Sequence, residues 1–158
     1  MKSIPIRLGS LILSSAGLLS IAAGEGQRGS PAEYLGGTLE SLSPHLSGTL
    51  FTNDPHSLLF QTHRSAIRIP YDRINQLEYG QKVDHRYWEA VLISPLFMLS
   101  KKRAHYLVVG YETEDGRQQA LLFQVDKGSI RAVLVSLEAR TGRKVTFQDE
   151  EARKAGKG

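Results

Sequence analysis

The sequence predicts an α+β fold, a curved antiparallel sheet or barrel capped by one C-terminal amphipathic helix. Three observations predict it. Ala104 to Tyr111 (AHYLVVGY) alternates and is rich in β-branched and aromatic residues, Glu114-Asp115-Gly116 supplies turn residues, and Gln119 to Val125 (QALLFQV) is a second short apolar run, together a hairpin signature. Ile130, Val133, Leu134 and Leu137 then fall at i, i+3, i+4 and i+7 as one apolar stripe, with Arg131, Ser136, Glu138 and Arg140 looking outward. Several short apolar runs separated by turn residues precede both. A helix with one oily stripe must lay it on something, and the nearest partner is the sheet the hairpin begins.

Taken in order, residues 1–24 have the layout of a secretory signal peptide. Lys2 and Arg7 make a basic start, LGSLILSSAGLLSIAA an apolar middle, and Ala22-Ala23-Gly24 a small-residue end. The expectation is export to the periplasm or cell envelope with cleavage near Gly24, the alternative being a retained N-terminal anchor. Residues 25–32 (EGQRGSPA) read as a linker, 33–148 as the domain, and 149–158 (DEEARKAGKG) as a charged, disordered tail. Within the domain, Tyr34 to Leu42 is strand-compatible, with a bend or bulge expected at Gly36-Gly37. Ser47 to Thr52 and Ser57 to Thr62 flank the strong turn Asn53-Asp54-Pro55-His56. Ala66 to Pro70 alternates and is closed by its proline, Tyr71-Asp72-Arg73 suits one helical turn, and Ile74 to Gly80 resumes a strand. Asp126 is placed to cap the helix with Val125 and Ile130 as a hydrophobic staple, Gly142 ends it, and Lys144 to Gln148 suits a last edge strand.

One stretch fits this scheme less simply. Tyr87 to Leu99 (YWEAVLISPLFML) is nearly all apolar, is broken by Pro95, and is followed at once by Lys101, Lys102 and Arg103. Buried core is the favoured reading. The functional alternative is a contact surface for a membrane or a protein partner, with Trp88, Leu96 and Phe97 as the apolar part and Lys101, Lys102 and Arg103 as the cations that meet anionic headgroups.

The order of these elements resembles the PH-like superfold, in particular small exported bacterial PH-like and GRAM-like domain proteins. The resemblance covers roughly Tyr34 to Gln148. Its most specific pieces are Ile69-Pro70-Tyr71-Asp72-Arg73-Ile74 and the run from Lys101 to Tyr111, joined to Leu137-Glu138-Ala139-Arg140-Thr141-Gly142 on the helix. It implies a fold and no ligand. Phosphoinositide-binding relatives carry basic residues around the first hairpin, whereas Ser41 to Ser47 (SLSPHLS) has no Lys or Arg.

Chemistry is sparsely signalled. The chain has no cysteine, which excludes disulfides, thiol catalysis, cysteine metal sites and lipidation at an N-terminal cysteine. Its formal charge of +4 falls by two units if Lys2 and Arg7 leave with the signal, so nothing demands nucleic acid. His45, His56, His63, His85 and His105 match no compact zinc spacing, and no G-x-S-x-G elbow or phosphate-binding G-K-[ST] occurs. His56 and His63 with Asp54 could meet across a hairpin, and an enzyme would need these and Asp72 to converge. Asp72 with Arg73, and Glu78 with Lys82, read as surface ion pairs. The expectation is a non-catalytic binding or scaffolding module of the cell envelope that docks a protein or peptide, with no cofactor and no metal. Peripheral membrane association is the alternative, and an enzyme the third reading.

Overall fold

A computed structural model describes residues 29–82 and 104–157. The leader, the first residues of the linker and the contact candidates Trp88, Leu96, Phe97, Lys101, Lys102 and Arg103 lie outside the described residues. The elements run β1 (Ser30–Gly37), β2 (Leu46–Phe51), β3 (Ser57–Thr62), β4 (Ala66–Pro70), a 3-10 turn (Tyr71–Arg73), β5 (Ile74–Gly80), β6 (His105–Glu112), β7 (Gln118–Val125), α1 (Ile130–Thr141), β8 (Thr146–Phe147) and α2 (Glu150–Lys157). They form one open eight-stranded sheet in the order β4-β3-β2-β1-β7-β6-β5-β8. Every pairing is antiparallel except the two-residue parallel contact of β8 with β5.

The alternation read from the sequence sorts the strands' side chains onto two faces. On the inner face Tyr34, Leu50, Leu58, Phe60, Leu77, Tyr79, Leu107, Val109, Leu121 and Phe123 are buried in one cluster with the four stripe residues of α1. Tyr34, Phe60 and Phe123 form a tilted aromatic trio, the closest pair of centroids being 5.0 Å apart. Polar bonds tie α1 to the β2–β3 turn: the Ser136 hydroxyl donates to the Thr52 carbonyl (3.2 Å) and Arg140 Nη2 to that of Asn53 (3.2 Å). The buried Tyr71 of the 3-10 turn donates its own hydroxyl to Thr52 (3.1 Å), so one carbonyl fixes both the chain's corner and the helix. Gly142, at φ 67°, closes α1 by donating to the Glu138 carbonyl, as a C-terminal glycine should.

The bend expected at Gly36-Gly37 is present as a register shift between Tyr34 and Gly36 in the β1–β7 ladder. Four other details depart from the sequence reading. Strand β1 begins at Ser30, inside the stretch read as linker, because Ser30 to Ala32 find partners on β2 and Ala32 also pairs with Val125 of β7. Asp126 caps the turn ahead of α1 rather than its first helical turn, accepting from the Gly128 N–H (2.8 Å) and the Ser129 hydroxyl (3.3 Å). Glu78 is buried at 6% exposure and is no surface ion-pair residue.

The fourth departure is the tail, where residues 150–157 form a docked second helix and the expected single cap becomes two. Asp149 accepts from the Ala152 N–H (2.6 Å), Glu150 and Glu151 lie in the first turn of α2, and Lys154 and Lys157 in the last, each sign at the favourable end of the helix dipole. Ala152 is fully buried, Arg131 Nε donates to the Ala155 carbonyl (3.1 Å), and a Cβ on Gly156 would sit 2.6 Å from Phe147. The contact is made through small residues, which is why no apolar stripe announced it.

Two substitution sets test this packing. Leu137→Ala is expected to cost about 2–5 kcal/mol, and Val135→Ala, at the 65% exposed position of the same helix, less than about 0.5 kcal/mol in denaturant titrations. Gly156→Leu is expected to destabilise by about 1–3 kcal/mol through overpacking against Phe147, whereas exposed Lys154→Ala leaves the melting midpoint in place.

Candidate docking surface

A sheet with one face on the core ordinarily shows polar side chains on the other. Here the second face carries its own apolar cluster: Leu35 of β1, Leu122 of β7, and Tyr106 and Val108 of β6 are all buried, with Ala104 and Ala120 partly buried against them. Strand register explains the grouping. Val108 lies opposite Leu122 on one side and Glu78 on the other, and the bulge in β1 sets Leu35 beside Leu122. The neighbouring row runs Gly80, Tyr106, Gln124, Glu33 and Ser47, so the apolar row is bordered by a polar one.

That border is charged as well as polar. Glu33 faces His45 at 3.3 Å, and burial, with Glu33's charge adding to it, pushes the Tyr106 phenol above its ordinary range. Beyond it a cleft of about 510 Å³ opens at the end of the sheet, lined by Pro31, Glu33, Ser47, Ala104, His105, Gln124 and Lys127 among others. A second cleft of about 510 Å³ lies at the far end of β1 under the β1–β2 connection, where Tyr34, Leu39, Leu42 and Pro44 contribute. Burial and the neighbouring Tyr111 push the Tyr34 phenol up to about 12, so its hydroxyl keeps its proton.

At the root of β6 the structure makes a contact that sequence reasoning missed. Tyr79, fully buried, approaches His105 Nδ1 with its hydroxyl at 2.6 Å, and the two rings stack at 15° with centroids 6.0 Å apart. Burial raises the Tyr79 pKa, and desolvation with Lys127 and Arg131 nearby lowers that of His105, outweighing Asp126. Both shifts favour the neutral forms, and the His105 tautomer sets which of the two donates. No periodicity flags such a pair, since it joins positions 79 and 105 through the β5–β6 register.

The remaining sequence candidates do not converge. His56 and His63 lie immediately before and after β3, hence about 20 Å apart along an extended strand, and both are exposed. Asp54 accepts from the His56 and Ser57 N–H groups (2.8 and 2.9 Å) and from Arg68 (3.3 Å), which holds its carboxyl below the ordinary range. Asp72 is exposed, while Arg73 donates to the Thr113 carbonyl at 3.0 Å. Among the described residues no group of three or more His, Asp or Glu side chains is arranged to hold a metal, and no helix is long and apolar enough to cross a membrane.

The Tyr79–His105 pair has a pH signature. A histidine whose folded pKa lies below 6.5 stabilises the fold fully above that value and loses the contribution as pH falls through the folded pKa. Stability is expected to decline on acidification below about pH 6.5, well before Asp54 and Asp115 protonate below 3.8, and His105→Gln should flatten that first decline in pH-dependent denaturation.

No known family model and no curated protein matches this chain, so the reading of its surface rests on its own residues.

Proposed function

We propose that this chain is an exported, PH-like, non-catalytic docking module of the cell envelope, and that the outer face of β1, β7 and β6 is where it receives an apolar segment of a protein or peptide. The observation that carries the reading is the cluster of Leu35, Tyr106, Val108 and Leu122 on the side of the sheet that the α1 core does not use. The surrounding Glu33, His45, Gln124 and Ser47 supply a polar rim of the kind that gives an interface its orientation.

The PH-like assignment draws its support from the strand order, with β1 joining β2 to β7, and from α1 following the last hairpin. The envelope location draws its support from the basic, apolar and small-residue layout of residues 1–24. A second reading, association with an anionic membrane surface, is favoured by the adjacency of Trp88 and Phe97 to Lys101, Lys102 and Arg103 in the sequence.

Photo-crosslinking residues placed at Tyr106 and Leu122 in cells making the full chain test the first reading against the second. Discrete adducts heavier than the chain from both positions, and none from the outward position Val135, are expected. Equal labelling from Val135, or no heavier adduct at all, contradicts protein docking. Sedimentation with vesicles containing anionic lipid that is abolished by salt and by Lys101→Glu with Lys102→Glu would install membrane association in its place.

A further inference from the structure

We propose that the cleft under the β1–β2 connection binds a small uncharged molecule, an apolar body carrying an ester, ketone or hydroxyl oxygen that hydrogen-bonds the buried hydroxyl of Tyr34. Tyr34 belongs to the inner face of the sheet, so this site is separate from the outer docking face.

Among the described residues, the tyrosines of the inner cluster divide into two pairs. The Tyr71 hydroxyl donates to the Thr52 carbonyl, and that of Tyr79 is bonded to His105 Nδ1. The hydroxyls of Tyr34 and Tyr111 have no hydrogen-bond partner among the described residues, although the two side chains are 1% and 8% exposed. A phenol taken out of water without a partner is costly, so a buried orphan of this kind points to a group that completes it.

Strand register brings the unpartnered pair to one end of the sheet. Gly37 lies opposite Leu121, Leu121 opposite Val109, and Tyr111 two positions beyond Val109. The Tyr34 side chain leans along β1 past the bulge, since a Cβ on Gly37 would lie 2.8 Å from its hydroxyl and 2.3 Å from the Ala120 carbonyl. The missing side chain of Gly37 leaves room for the tip of the phenol. Tyr34 and Gly37 both line the cleft, and the hydroxyl is the end of Tyr34 that reaches it.

The lining decides what fits. Leu39, Leu42 and Pro44 supply an apolar wall, and the volume of about 510 Å³ suits a small molecule. Thr38 is already committed, because its hydroxyl bonds Gln119 and accepts from the Ala120 N–H (2.9 Å). Among the described residues the lining holds no Lys or Arg, and Glu40 stands exposed at the rim, so an anion would find a like charge and no cation. An ordered water needs about two to four polar partners, which this wall does not provide. An uncharged acceptor on an apolar body satisfies both the wall and the hydroxyl.

The test uses the full chain with tyrosine carrying carbon-13 at Cζ, the Tyr34 signal being assigned by its loss in Tyr34→Phe. Methyl hexanoate, an uncharged ester, is titrated in parallel with hexanoate, which has the same acyl chain and a charge. The Tyr34 signal is expected to shift saturably with the ester and to stay in place with hexanoate. In Tyr34→Phe, the ester affinity read from the amides of Leu39 and Leu42 is expected to fall about tenfold. The melting midpoint of unliganded Tyr34→Phe is expected to hold or rise, because an unsatisfied group has been removed, whereas loss of a hydroxyl bonded within the protein would lower it. No saturable shift with the ester, equal binding of hexanoate, an ester affinity within about twofold of the unsubstituted chain in Tyr34→Phe, or a lowered midpoint each overturns the assignment. If Tyr34→Phe does not fold, Leu39→Trp, which fills the cleft from its partly buried wall, must abolish ester binding, and unchanged binding overturns the site. Missing adducts at Tyr106 and Leu122 would leave this site standing, and failure of ester binding would leave the docking face standing.

Discussion

The structure depends on the contact between four residues of α1 and the inner face of the sheet. Ile130, Val133, Leu134 and Leu137 are buried in one cluster with residues of strands from both ends of the strand order, such as Ile69 of β4 and Tyr79 of β5. The sheet itself stays open, with β4 and the two-residue β8 at its edges. Without the helix its inner face would be wet. Polar bonds from Ser136 and Arg140 to the β2–β3 turn add orientation to an attachment that is apolar in origin.

From that constraint follows the division of the sheet into two unequal surfaces. The inner one is committed to the core, where Tyr34, Phe60 and Phe123 pack on one another in the same cluster as the stripe of α1. The edges are guarded: β4 carries Arg68 and Pro70, both exposed, and β5 is shielded by β8 and α2. The outer face of β1, β7 and β6 is the place where apolar side chains gather without serving the main core. On the inner face, at the start of β6, the Tyr79–His105 bond couples this end of the sheet to pH.

Much of the architecture was legible in the letters, and the reasons are local. β3 and β5 have the sequence-read boundaries because alternation and strong turn residues bracket them, and the helix stripe is a plain i, i+3, i+4, i+7 pattern. The extra start of β1 was missed because Ser30, Pro31 and Ala32 are small and include a proline, and their strand conformation is supplied by pairing with β2 and, at Ala32, with β7 as well. The tail was missed because Ala152 and Gly156 make close contacts without any large apolar side chain, though Asp149 followed by two glutamates and later lysines was a helix-start signal in plain view. The outer cluster was hidden in strands that simply looked apolar on both sides, and the burial of Glu78 needed the β5–β6 register to become visible.

Native-state hydrogen exchange tests the central claim most directly, because it reads the helix and the sheet in one experiment. If α1 seals the inner face, the amides of Val133 to Leu137 and those of the central strands β1, β6 and β7 exchange with one common free energy equal to that of global unfolding. Helix amides that exchange orders of magnitude faster than those strands would show that the sheet holds its shape without the helix, and would contradict the account.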